Sequence, residues 1–224
     1  MGPGQAPGPT IQADEHINSL KKRQLQTMKP KVFFVVGPAG SGKSSVSKFI
    51  ARQNHAAYID KDTATTGFTE LLLELRGFDK NERDNNEYYQ TVIMPLEYET
   101  ILKLCRDNLA LGNSVVLDAP FGKYFSNEDF LTEVHARYYW PEAEKIVVHV
   151  HVDGEEMRQR LINRGYHRDE WKLHNWDAFW AKAQSVDCAW KSAHHVAFNN
   201  NGDGIDTTEF DRVIEGIDAE MARL

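Results

Sequence analysis

The chain has 224 residues, 41% of them hydrophobic and 26% charged, which is enough for one substantial core and too short for two domains of ordinary size. Lys and Arg number 26 against 33 Asp and Glu, a net charge of −7 that disfavours wrapping the phosphate backbone of duplex nucleic acid. The longest apolar run, Val32 to Val36, is far below the roughly 18 residues a membrane-spanning helix needs. No signal-peptide core is visible near the start, so a cytoplasmic protein without a membrane partner is expected. Cys105 and Cys188 fall in no Cys-x-x-Cys pattern, which argues against a disulfide framework or a zinc site.

Residues 1–30 read as a flexible leader. Pro3, Pro7 and Pro9 alternate with Gly2, Gly4 and Gly8, a composition that cannot bury enough apolar surface to offset its ordering entropy. A short helix with a small basic cluster at Lys21, Lys22 and Arg23 follows. Residues 31–224 read as one domain in which β-branched and aromatic runs alternate with segments of helical period, the pattern of a parallel sheet with crossover helices. Strands are expected at Val32–Val36, Ala56–Asp60, Ser114–Asp118, Lys145–Val152 and His194–Phe198. Helical stretches are expected near 43–53, 63–76, 84–110, 126–139, 154–164, 169–192 and 207–223. Asp153 with Glu156, and Asp206 with Glu209, have capping-box spacing, and Gly112 and Gly165 stand where helices should stop.

The most specific feature lies between the first strand and first helix. Gly37-Pro38-Ala39-Gly40-Ser41-Gly42-Lys43-Ser44 is a complete G-x-x-x-x-G-K-[ST]. Its glycines let successive backbone amides point inward at a phosphate, and the helix that follows adds its positive N-terminal end. Lys43 is expected to reach the β- and γ-phosphates of ATP and the Ser44 hydroxyl to ligate Mg²⁺. Gly37 to Ser44, Ser45 and Arg160 are the expected nucleotide-binding residues. Two absences narrow the chemistry. No Glu follows Asp118 in Val115-Val116-Leu117-Asp118-Ala119-Pro120 to activate water, and the Asn-Lys-x-Asp guanine motif is missing. Phosphoryl transfer to a bound acceptor is therefore the leading reading.

Asp62 follows the second strand, at the carboxyl end of the sheet where ligands of doubly wound folds sit. It is the expected base that takes the proton of an acceptor hydroxyl, with Asp60 as support or as the alternative base. Asp118 is expected to hold Mg²⁺ or to position the acceptor, so Asp60, Asp62 and Asp118 form the substrate side. Beyond the fourth strand come Arg158, Arg160, Arg164 and Arg168. Guanidinium groups there can close over a triphosphate as charge develops on the transferring group, and Arg164 and Arg168 are the expected catalytic pair of such a lid.

Taken together, Gly37–Ser44, Asp62, Asp118 and Arg160/Arg164/Arg168 resemble the P-loop kinases of the AAA-type ATPase, zeta-toxin and chloramphenicol phosphotransferase-like group, and are also similar to polynucleotide kinase. The resemblance covers residues 31 to about 200. It implies an α/β P-loop fold of kinase type, a three-layer sandwich with a five-stranded parallel sheet of order 2-3-1-4-5 and helices on both faces. It also implies ATP with Mg²⁺, phosphorylation of a hydroxyl on a small molecule, and Asp62 as the match to the catalytic aspartate. Two departures, a helical stretch at 80–110 and a Trp-rich segment at 171–190, fall where acceptor specificity is expected to be set, and helical acceptor-binding or lid segments are expected near 80–110 and 155–190. The alternatives are a kinase of polynucleotide ends, which the acidic charge disfavours, and an ATP-binding switch without catalysis.

Other features carry less. Asn199 to Phe210 imitates a calcium loop, with Gly204 at the sixth place, but Phe210 stands where a bidentate Glu is required. A turn near the adenine is the better expectation, with Asn199, Asn200 and Gly202 as contacts. His149, His151, His194 and His195 read as packing residues rather than a metal cluster. Trp171, Trp176, Trp180 and Trp190 read first as core and second as an aromatic wall for an acceptor. Tyr88, Tyr89, Lys123 and Tyr124 remain unranked acceptor contacts.

Overall fold

The computed structural model describes residues 29–83, 86–166, 169–185, 187–202 and 207–221. Residues 1–28 of the leader, Arg168, Asp206 of the second capping box and the centre of the calcium-like loop lie outside these residues. Among those described, no helix is long and apolar enough to cross a membrane.

Five parallel strands, β1 (Lys31–Val36), β2 (Ala57–Asp60), β3 (Val115–Asp118), β4 (Glu144–His151) and β5 (His194–Asn199), form one sheet in the order β2-β3-β1-β4-β5, the order the resemblance implies. β1 lies at the centre and is buried along its whole length, which explains why its sequence is continuously apolar rather than alternating. Val35 pairs with Asp118 and Val36 with His149, so the P-loop leaves the sheet beside the ends of β3 and β4.

Side-chain alternation sends the strand residues into two cores. Phe33, Val35, Val116, Val148 and Phe198 meet Val46 and Ile50 of α1 (Lys43–Gln53) and Phe210 and Ile217 of α8 (Thr208–Met221). On the other face, Phe34, Leu117 and Val147 meet α3 (Met94–Ala110) and α4 (Phe130–Tyr138). Between them in sequence come α2 (Lys61–Leu75), α5 (Gly154–Arg164), α6 (Glu170–His174) and α7 (Trp176–Ser185). Gly165 ends α5 at φ 59° and Gly112 lies just past α3 at φ 80°, the left-handed stops their positions require.

Three expected helices are altered. The stretch 84–110 opens with a π-helical segment, Tyr89–Ile93, before α3; Pro95 has no N–H to give and its ring would collide with the preceding turn, and a widened turn relieves both. The stretch 126–139 forms a helix only from Phe130, because Asn127 Oδ1 accepts from Asp129 N at 3.1 Å and holds a turn there. The stretch 169–192 breaks at Asn175, between α6 and α7, and leaves helix after Ser185. Ala189 N then donates to Phe125 O at 2.9 Å and Lys191 N to Glu128 O at 2.8 Å, bonds that a helix, which uses its amides internally, could not make. They deliver Trp190 into the core, with its ring 5.3 Å from Phe34, 5.6 Å from Phe121 and 4.8 Å from Phe130. The Asp153–Glu156 box does not form either: Asn201 Oδ1 already accepts from Asp153 N at 2.7 Å, and Glu156 turns to Arg160 and to Gly202 N.

A buried polar network ties α2 to α3. Glu97, 3% exposed, accepts from Lys61 Nζ at 2.7 Å, Thr69 Oγ1 at 2.5 Å and Tyr89 OH at 3.0 Å. Lys61, 4% exposed, also lies 3.2 Å from Asp62 Oδ1. β4 and β5 share a second chain of polar groups, in which His195 Nε2 bonds the Trp190 carbonyl and His195 Nδ1 bonds His149 Nε2, each at 2.8 Å. Burial first, and then the neighbouring His195 and His151 rings, push the His149 pKa down to about 4.

Replacing Glu97 by Ala should destabilise the fold by about 3–5 kcal/mol, because Lys61 is left buried without its partner. A Lys61→Met/Glu97→Leu double variant should recover most of that loss, and denaturant unfolding of both checks the pair. His149 should titrate near pH 4 by NMR. A histidine held neutral in the folded state gives a contribution that is complete above the unfolded value of about 6.5 and declines as pH falls toward the folded value. Unfolding free energy should therefore drop between about pH 6.5 and 4, and less steeply in His149→Phe.

Candidate active site

Gly40 at φ 87° and Gly42 at φ 84° carry the P-loop through the left-handed region, and both also meet close neighbours. A Cβ at Gly40 would come within 2.9 Å of Met157 on α5, and one at Gly42 would run into the Asn200 amide. The loop is braced from outside at the Ser41 carbonyl, which accepts from Asn200 Nδ2 at 2.7 Å and from Arg160 NH1 at 3.4 Å. Arg160 NH2 in turn donates to Asn200 O at 2.7 Å and to Glu156 Oε1 at 2.5 Å. Arg160 thus lines the cavity while its hydrogen bonds hold the loop. Asn200, expected near adenine, is used as a brace.

Lys43 Nζ donates to Pro38 O at 2.8 Å. Its pKa is pushed down to about 8 by burial; Asp118 and Asp62 oppose this, and the nearby Arg164 and Lys172 cations add to it. Asp118, 6% exposed, is hydrogen-bonded by Ser44 and accepts from Tyr58 OH at 2.9 Å. Burial holds its carboxyl above the ordinary range despite those two bonds. Tyr58 also reaches Asp60 at 3.2 Å, while Asp60 Oδ1 caps α2 by accepting from Thr63 N at 2.5 Å. The cap occupies Asp60, while Asp62, two residues further and 3.2 Å from Lys61 Nζ, is a half-exposed carboxylate on the cavity wall.

The residues present fit a magnesium ion. The Ser44 hydroxyl and the Asp118 carboxylate are hard oxygen donors side by side at the loop, the donor type Mg²⁺ takes together with phosphate oxygens. Buried Asp118 lacks full compensation for its charge, which a cation would provide. Among the described residues no group of three His, Cys, Asp or Glu side chains could hold a metal alone.

Arg164 and Lys172 complete the wall. Asp169, fully buried, accepts from Arg164 Nε at 2.5 Å and from Lys172 Nζ at 2.8 Å. Burial opposes its charge, but these two cations outweigh it and hold the carboxyl below the usual range. Arg158 turns away, over the Trp176 ring at 5.8 Å. Trp176 and Trp180 stack in parallel against Met157 and Leu161 of α5, and Trp180 also lines the cavity. Of the Trp-rich segment, then, Trp190 is core, Trp180 is wall and Trp171 is 63% exposed. Tyr89 joins the Glu97 network, and Lys123 Nζ donates to Gln90 O at 3.2 Å.

One cavity of about 1260 Å³ brings together the P-loop, Asp60, Asp62, Asp118, Arg160 and Arg164. The sequence reading missed Tyr58, Asp169 and Lys172. Tyr58 shares a strand face with Asp60, and Asp169 and Lys172 have the i,i+3 spacing of a helical ion pair, so both signals are present but weak.

No curated protein sequence matches the chain. Among solved structures it is similar to a candidate kinase of Chloroflexus aurantiacus, with a TM-score of 0.57, 14% identity, and 84% of this chain and 98% of that one covered. It is also similar to a sugar kinase of a Janibacter species, with a TM-score of 0.52, 12% identity, and 86% and 97% covered. Both share the fold. The AAA domain family matches residues 32–185, and with the P-loop, the sheet order and the cavity above it agreeing, the chain belongs to the AAA domain family and has the P-loop kinase fold.

Proposed function

We propose that the protein transfers the γ-phosphoryl group of ATP to a hydroxyl of a small molecule. The observation that carries this reading is the position of Asp62: a half-exposed carboxylate on the wall of the same cavity as Lys43 and Arg164, beside a P-loop. The cavity's 1260 Å³ exceeds the roughly 300–1,000 Å³ of an ordinary ligand pocket, which leaves room for a nucleotide and an acceptor together.

In this reading the P-loop amides between Ala39 and Ser45 receive the phosphates. Lys43 exchanges the Pro38 carbonyl for phosphate oxygens, and Arg164 with Lys172 faces the transferring group from the other side. Ser44 and Asp118 would hold Mg²⁺, which when bound neutralises charge on the β- and γ-phosphates. Asp62 orients the acceptor hydroxyl and takes its proton as the oxygen bonds to phosphorus and the bond to the β-phosphate oxygen breaks, releasing ADP. Tyr58, whose phenol is pushed far up by burial and by Asp118 and Asp60, remains a donor throughout and keeps Asp118 in place.

The direct test is to incubate the protein with Mg·ATP and a small-molecule extract and to search by mass spectrometry for a compound that gains a phosphoryl group. Asp62→Asn should bind a non-hydrolysable ATP analogue within about twofold of wild type, while transfer falls by about 10²–10⁴-fold. Transfer at the wild-type rate in that variant would show that another group is the base.

A further inference from the structure

His149 is a titratable side chain on the cavity wall that the phosphate-transfer reading does not use. It stands two residues beyond Val147 on β4, so its ring projects from the sheet face occupied by Trp190 and Phe121, opposite the face covered by α1. Phe121, Phe125 and Cys188 line the cavity from that same face.

The hydrogen-bond chain fixes the ring's tautomer. A carbonyl only accepts, so the bond to Trp190 O places a hydrogen on His195 Nε2 and leaves His195 Nδ1 as an acceptor. His149 Nε2 must then carry its own hydrogen to donate to His195 Nδ1. What remains is the lone pair of His149 Nδ1. Among the described residues that atom has no hydrogen-bond partner, and it is not sealed from solvent, so it is an available acceptor on a residue that lines the cavity.

Charge on the wall points the same way. The Lys and Arg side chains lining the cavity among the described residues are Lys43, Arg160, Arg164 and Lys172. Each is bonded at the phosphate end, to Pro38 O, to Ser41 O and Asn200 O, or to Asp169. Among the described residues, the rest of the cavity wall therefore presents an imidazole lone pair, the Asp62 carboxylate and aromatic rings, with no Lys or Arg to meet an anionic group.

We infer that the acceptor is a neutral or cationic hydroxyl compound of the polyol, amino alcohol or amino sugar kind, which donates an O–H or N–H hydrogen bond to His149 Nδ1 and bears no carboxylate or phosphate. This inference rests on the kinase reading above, and the experiment separates the two. A small-molecule extract is split on an anion exchanger, each fraction is incubated with the protein and Mg·ATP, and phosphorylated products are identified by mass spectrometry. The product should arise from the unretained fraction. With that compound in hand, His149→Phe should raise its KM by about tenfold or more, the cost of leaving one donor unpaired, while the KM for ATP stays put. His149→Asn, whose Oδ1 keeps an acceptor near the Nδ1 position, should restore most of the loss. A product that arises only from the retained, anionic fraction, or an acceptor KM that His149→Phe leaves unchanged, overturns this assignment and leaves the kinase reading standing. No product from either fraction, with ATP binding intact, overturns both.

Discussion

A loop that turns its amides inward to hold phosphate must be held from outside, because those amides are withdrawn from the bonds that normally fix a backbone. Here the hold is concentrated on the Ser41 carbonyl, reached by Asn200 from the end of β5 and by Arg160 from α5. Gly40 and Gly42 are glycines partly for this reason: the bracing side chains and α5 come too close for a Cβ. β1 delivers the loop between β3 and β4, and Asn200, just past β5, reaches it from the side. The loop's shape is thus set by residues far away in sequence, while its chemistry is local.

That division explains what was legible in the sequence. The P-loop could be read because eight consecutive residues carry both its geometry and its chemistry, and the sheet because β1, β3 and β4 are short apolar runs at crossover spacing. Asp62 and Asp118 could be placed at strand ends for the same reason. The bracing role of Asn200 and Arg160 could not, since it depends on β5 and α5 converging on one carbonyl. The continuous helix expected at 169–192 failed because helical period cannot reveal that Trp190 is needed elsewhere. Its indole fills the space between Phe34, Phe121 and Phe130, and the backbone pairs with the Phe125 and Glu128 carbonyls to bring it there. Burial of a large aromatic outweighed a few tenths of a kcal/mol per residue of helix preference.

The net charge of −7 describes the surface poorly at the one place where charge matters. Lys43, Arg164 and Lys172 converge on the cavity close enough for the last two to help depress the first, and Asp169 absorbs part of that repulsion from a fully buried position. Two cations on one buried carboxylate are rigidly placed, because each carboxylate oxygen is committed to a different partner. The geometry suits a triphosphate, which brings enough negative charge to satisfy all three cations at once, far better than it suits a single carboxylate ligand.

The helical stretch that departs from the resemblance is joined to the candidate base through a buried ion pair. Burying Lys61 and Glu97 demands desolvation of two charges, which their mutual attraction offsets only with good geometry and further hydrogen bonds; Thr69 and Tyr89 supply those bonds. Lys61 then touches both Glu97 and Asp62, so the orientation of Asp62 is coupled to α3 and, through Tyr89, to the π-helical turn that Pro95 imposes. The expense of a buried ion pair at this point makes sense as the means by which α3 and the Asp62 carboxylate are held in one geometry.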